Sequence, residues 1–168
     1  MDRQLGWIVV FAMAIAVSAC GPEPTVGVLT PESGYARAYG HAINNGLDLA
    51  LAEARTTGSV PEGFRLVVSD TRSDPTRAAA EFRRLADEQE VGLVVGGVTT
   101  DEALALIPVV DDEKVVCLSP SASASSLTGK SPYFFRLFAT DEIARILRRP
   151  VRRAIVRERD LLRILDLA

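Results

Sequence analysis

Lysine is almost missing from this chain. Only Lys114 and Lys130 occur among the 19 basic residues, and the other seventeen are arginine, a skew that reads as coding bias rather than chemistry. His41 is the single histidine, and Cys20 and Cys117 are the two cysteines. That stock cannot build a zinc site with several His or Cys ligands, nor staple a disulfide framework. Positive charge is also lacking overall. The net charge is -3 and the pI is near 5.3, which argues against a whole-chain nucleic-acid binder. The rest is ordinary: 48% apolar and 24% charged residues over 168 positions. A length in the range of roughly 100–200 residues is one domain's worth.

The N-terminus has an address. Met1-Asp2-Arg3-Gln4 is followed by the 13-residue apolar run from Leu5 to Val17 and then by Ser18, Ala19, Cys20 and Gly21. A charged start, a short apolar core and a small-residue cleavage site form a secretory signal peptide. The apolar core is shorter than the roughly 20 residues a membrane span wants. Val17-Ser18-Ala19-Cys20 resembles the lipobox of bacterial lipoproteins, in which the cysteine carries a diacylglycerol and becomes the first mature residue. The sequence therefore predicts a signal peptide over 1–19, lipidation at Cys20, and a Pro-stiffened tether over 20–24. Cys117, in the run Val115-Val116-Cys117-Leu118, then has no partner and reads as a small buried hydrophobe.

Beyond the tether, short apolar runs alternate with helical patterns. Thr25–Leu29, Phe64–Ser69, Val91–Val95, Lys114–Leu118 and Tyr133–Phe138 read as strands. Tyr39, Ile43, Leu47 and Leu51 recur on one helical face. Asp74-Pro75 is an N-cap followed by a proline at the first helical position, opening a helix with Ala79, Phe82, Leu85 and Ala86 inward. Asp101 to Asp112 carries Leu104, Ile107 and Val110 at helical spacing, and another helix starts at Thr140-Asp141-Glu142. Strands separated by helices imply right-handed βαβ units. The expected fold is α/β, a three-layer parallel sheet with helices on both faces, Rossmann-like.

In such sheets ligands bind at the carboxyl ends of the strands. Those ends carry Thr30-Pro31, Asp70, Gly96 to Thr100, and Ser119 to Ser123. The last two clusters are rich in hydroxyls and N–H donors, and Thr99 and Thr100 stand at a helix start, whose free N–H groups suit an anion. The residues themselves point to a small anionic or zwitterionic ligand held by neutral donors.

In order, VGVLTPESGYARAYGHAINNGLDLALAEA, VVSDTRSDPTRAAAEFRRLADEQEVGLVVGG, VTTDEALALIPVVDDEKVVCLSPSASASSLTG and SPYFFRLFATDE resemble the type I periplasmic binding proteins. The branch is that of the branched-chain amino acid (Leu/Ile/Val) receptors of ABC transporters. The resemblance covers about Thr25 to Glu142. It implies an extracytoplasmic, lipid-anchored receptor that binds an amino acid or an analogue and delivers it to a transporter permease, with no enzymatic activity, cofactor, metal or nucleic-acid partner. It implies that Thr100, with Ser121, Ala122 and Ser123, holds the ligand's α-carboxylate and α-ammonium, and that Tyr39 packs against the ligand side chain. Two departures stand out: Gly96-Gly97-Val98 replaces the Gly-Pro found in many members, and the second lobe has no counterpart.

Other readings are a ligand-sensing module of the same fold and a flavodoxin-like enzyme or carrier domain. Thr128-Gly129-Lys130-Ser131 imitates the end of a P-loop, but Ala124 stands where the first glycine belongs and a strand follows. Asp111-Asp112 ends a helix rather than a strand, unlike a response-regulator acidic pair. His41 reads as a solvated helix residue. From Ala144 to Ala168 eight arginines face Glu158, Asp160 and Asp166, a net charge of +5. The expected division is a ligand-binding lobe over 25–146 and an atypical tail over 147–168. The lobe is expected to be incomplete, as in a truncated or frame-shifted form.

Overall fold

The computed structural model describes residues 23–146. The signal segment 1–19, Cys20 and the tail 147–168 lie outside the described residues. Five strands, β1 (Thr25–Thr30), β2 (Arg65–Asp70), β3 (Leu93–Val95), β4 (Val116–Ser119) and β5 (Phe134–Arg136), alternate with three helices. These are α1 (Arg37–Thr56), α2 (Pro75–Gln89) and α3 (Thr100–Glu113). A short 3-10 turn, Ser125–Leu127, lies between β4 and β5, and residues 141–146 are helical. Every strand pair is parallel, in the order β2-β1-β3-β4-β5. The fold is the parallel α/β sheet that the alternation of strands and helices predicts.

Strand order follows from handedness. The step from β1 to β2 goes one way and those from β2 to β3 and β3 to β4 go the other, so right-handed crossovers put α1 on one face and α2 and α3 on the opposite face. Side-chain alternation agrees. Leu29, Val94 and Cys117 join Phe82, Leu85, Leu106, Val109 and Val110 in the core under α2 and α3. Val28 and Thr30 are buried on the other face, where the Thr30 hydroxyl donates to Asn44 Oδ1 on α1 at 2.9 Å. Burying each large apolar side chain stabilises the fold by about 1.5–3 kcal/mol.

Local signals set the helix starts. The Asp74 carboxylate accepts from the N–H groups of Thr76 and Arg77 at 2.7 and 3.1 Å, with Pro75 beginning α2. Such a cap contributes about 1 kcal/mol. Gly40 lets α1 lie against the end of β1: a Cβ there would stand 2.0 Å from the Pro31 carbonyl oxygen.

Two expected faces are corrected. Tyr39 does not share the inward stripe of α1: Ile43, Leu47 and Leu51 are half-buried, whereas Tyr39 is 64% exposed. In α3, Leu104 points to solvent, and the inward residues are Ala103, Leu106, Val109 and Val110. That helix is apolar nearly all round, so packing against α2 decides its phase rather than periodicity. Asp111 and Asp112 are exposed at its end, and Asp111 accepts the Ser131 hydroxyl at 2.6 Å.

Candidate functional site

The switch in strand order falls between β1 and β3, so the loops that leave them diverge and open a crevice at the carboxyl edge of the sheet. Polarity is concentrated along that edge. Among the described residues the buried polar or charged ones are Thr30, Ser69, Thr71, Ser73, Glu102 and Ser119. Each stands at the end of a strand, in the turn after it, or in the first turn of α3. A buried polar group is costly unless paired, and among the described residues no buried side-chain nitrogen or oxygen lacks a partner.

Three sets of hydrogen bonds shape this edge. The Asp70 carboxylate accepts the N–H groups of Glu32 at 2.9 Å, Ser33 at 3.3 Å and Arg72 at 2.8 Å, and the Ser33 hydroxyl at 2.8 Å. Burial pushes its pKa up, and these donors outweigh that, holding the carboxyl below the ordinary aspartate value. The Ser73 hydroxyl donates to the Ser33 carbonyl and accepts the Ala36 N–H at 3.0 Å. Arg72 and Ser73 both have positive φ, 56° and 58°, a conformation costly for residues with a Cβ and kept here by these bonds.

The second set belongs to the start of α3. Thr99 is the N-cap, and its hydroxyl accepts the Glu102 N–H while the Glu102 carboxyl accepts the Thr99 N–H, a capping box. The third set joins β3 to β4. Ser119 donates to the Gly97 carbonyl at 2.7 Å and accepts the Ala122 N–H at 3.2 Å, and Ser121 donates to the Val98 carbonyl at 2.6 Å. Gly97 has φ of +69°, which glycine adopts without strain. Among the described residues the hydroxyls of Thr100 and Ser123 and the N–H groups of Thr100, Asp101 and Ser123 have no hydrogen-bond partner. Free donors at a helix start and on the adjoining loop form an arrangement suited to an anion.

Residues 23–154 match the family described as periplasmic binding protein. The chain belongs to that family. It is 26% identical over 133 residues to Leu/Ile/Val-binding protein homolog 3 of Brucella melitensis, covering 77% of this chain and 36% of that one. Among solved structures it is similar to the branched-chain amino acid transporter substrate-binding protein LivJ of Streptococcus pneumoniae, in complex with isoleucine. That likeness has 30% identity and a TM-score of 0.66, over 70% of this chain and 34% of LivJ. It is also similar to a solute-binding protein of an ABC transporter from R. palustris in complex with 4-hydroxybenzoate. Here identity is 29% and the TM-score 0.59, over 69% of this chain and 32% of that one. The chain thus spans about a third of the length of these relatives, which are solute-binding proteins and not enzymes. Membership implies an extracytoplasmic location. Among the described residues no helix is long and apolar enough to cross a membrane.

In this periplasmic binding protein the sequence-marked residues have distinct settings. Thr100 is the first residue of α3 and half-buried. Ser121 reaches the β3 loop through Val98, two residues before Thr100. Ala122 is buried, and the Ser123 carbonyl accepts the Asp141 N–H at 3.0 Å. Tyr39 stands exposed on the first turn of α1, beyond the loop that Asp70 holds. His41 is exposed, with Nε2 3.3 Å from the Glu32 carbonyl oxygen. Glu102 and Thr71 carry no mark in the sequence reading, although Thr99-x-x-Glu102 has the capping-box spacing that announces the first of them.

Proposed function

We propose that this lobe forms one wall of a binding site for a small carboxylate-bearing solute, in a receptor that serves an ABC transporter permease. The observation that carries the reading is the set of unpaired donors on Thr100, Asp101 and Ser123, beside a carboxyl edge whose buried side-chain polar groups are all paired among the described residues. The ligands named for the two solved relatives, isoleucine and 4-hydroxybenzoate, have the carboxylate in common and differ in the rest. The carboxylate is therefore the group assigned to Thr100 and Ser123, with Ser121 and Ala122 shaping the loop. Tyr39 is assigned to the variable part of the ligand.

The test is an NMR titration of the ¹⁵N-labelled protein with isoleucine and with 4-hydroxybenzoate, and with isoleucinamide and 4-hydroxybenzamide as controls. The acids are expected to shift the amides of Thr100, Asp101 and Ser123, and the amides to leave them in place. Shifts confined to other residues, or equal shifts from acids and amides, overturn the reading. The anchor belongs to the same proposal: Cys20 carries the diacylglycerol and residues 1–19 are removed. A diacylated Cys20 peptide in the membrane fraction is the expected mass-spectrometric result, and an unmodified mature Cys20 would sink it.

A further inference from the structure

We propose that Glu102 is a positioning residue that holds the first turn of α3, and with it the Thr100 and Asp101 N–H groups, in register with the crevice. The proposal deepens the carboxylate site above and rests on it. Glu102 is fully buried. Its Oε2 accepts the Thr99 N–H at 3.0 Å and the Thr99 hydroxyl at 3.2 Å, which completes the capping box. Its Oε1 accepts the Thr71 hydroxyl at 2.5 Å. A capping box needs only one of the two oxygens, and a glutamate is almost never fully buried unless paired, so the burial and the second contact require another account.

Thr71 belongs to the turn after β2, and β1 lies between β2 and β3 in the sheet. The bond from Thr71 to Glu102 therefore passes over the end of β1. The Thr71 N–H donates to the Thr30 carbonyl at 3.2 Å, and the Thr30 hydroxyl donates to Asn44 on α1. Asn44, Thr30, Thr71, Glu102 and Thr99 thus form one line of hydrogen bonds beneath the crevice, from the helix on one face to a helix on the other. Thr30, Thr71 and Glu102 are all fully buried. Thr71 also adjoins the left-handed pair Arg72 and Ser73, which Asp70 and Ser73 tie to the loop before α1. Through Glu102, the loop before α1 with the first helical turn that carries the exposed Tyr39, and the turn that presents Thr100 and Asp101, share one rigid base. Donors fixed before the ligand arrives spare the ordering cost of binding.

The test uses the full-length chain and three variants, Glu102→Ala, Glu102→Gln and Thr71→Val. Amide hydrogen exchange is read residue by residue, and isoleucine affinity is read by NMR. Glutamine keeps an oxygen for the Thr99 N–H and offers an NH₂ group to the Thr71 oxygen. Glu102→Ala is expected to speed Thr99 exchange far more than that of Val28 and Leu29 in β1, and to weaken isoleucine binding by roughly tenfold or more. Thr71→Val is expected to weaken binding with the Thr99 amide still protected, and Glu102→Gln to restore both readouts. The proposal is overturned if Glu102→Gln behaves as Glu102→Ala, or if exchange rises equally through β1 and α3, which marks a general stabilising role. Absence of isoleucine and 4-hydroxybenzoate binding in the unmodified chain overturns the site reading instead, while the exchange pattern still decides whether Glu102 holds the turn. Should Glu102→Ala fail to fold, Glu102→Gln and Thr71→Val decide the same question.

Discussion

The Ser121 hydroxyl donates to the Val98 carbonyl across 2.6 Å, joining the loop after β4 to the loop after β3. Beside it the Ser119 hydroxyl makes the same kind of bridge to Gly97. Two serines thus set the spacing between the two loops whose remaining donors line the crevice. Ser123, two residues further on, spends neither its hydroxyl nor its N–H on the described residues.

Ser121→Ala and Ser123→Ala should therefore part company. Ser121→Ala removes a bond to the carbonyl of the buried Val98 and is expected to cost about 1 kcal/mol of folding stability. Ser123→Ala is expected to leave stability within about 0.5 kcal/mol and to weaken carboxylate binding roughly tenfold. Urea denaturation and an isoleucine titration on both variants check the pair. Equal stability losses would show that the two serines do the same structural job.

Asp70 gives the fold an acid-sensitive latch. Its folded pKa lies below the unfolded value, so its contribution is complete above that value, near 3.8, and is lost as pH falls through the folded one. Glu81 acts in the same sense, its carboxyl lowered by the Ser69 hydroxyl and by Arg84. Asp70→Asn is expected to cost on the order of 1 kcal/mol at neutral pH and to flatten the stability loss below about pH 4 without abolishing it. Urea midpoints at neutral and acid pH measure this, and an unchanged acid slope would rule Asp70 out as the latch.

Cys117 is fully buried between β3 and β5, and desolvation pushes its thiol up to about 12. The thiolate is the reactive form. In a Cys20→Ser chain, Ellman's reagent is expected to find no reactive thiol in the native state and one after denaturation. Rapid native labelling would mean that this core opens readily.

The strands were legible because they are short apolar runs bounded by proline, glycine or aspartate, as Thr25–Thr30 is between Pro24 and Pro31. The start of α2 was legible because Asp74-Pro75 is a local signal with a local effect. The inward side of α3 was not, since Leu104 and Leu106 are equally apolar and only α2 distinguishes them. The state of the site residues was hidden for a related reason. Ser121 meets Val98 across 23 positions of sequence, and Thr71 meets Glu102 across 31. Spacing marks which residues carry hydroxyls at strand ends. It does not tell which hydroxyls the fold keeps for itself.

Two glycines of α1 offer the cleanest contrast between close approach and mere flexibility. A Cβ on Gly40 would stand 2.0 Å from the Pro31 carbonyl oxygen, a backbone atom that cannot swing aside. A Cβ on Gly46 would meet nothing within 4 Å. Neither residue has a positive φ, so the alanine backbone itself is unstrained at both. Gly46→Ala is expected to raise stability by about 0.5–1 kcal/mol through helix propensity alone. Gly40→Ala is expected to lower it by about 2 kcal/mol or more, because α1 must lift away from the end of β1. The Thr30 hydroxyl then loses its hold on Asn44, and the loop before α1 loosens with it. Thermal melts of the two variants measure the contrast, and a stabilised Gly40→Ala chain would mean that α1 does not rest on Pro31 in solution.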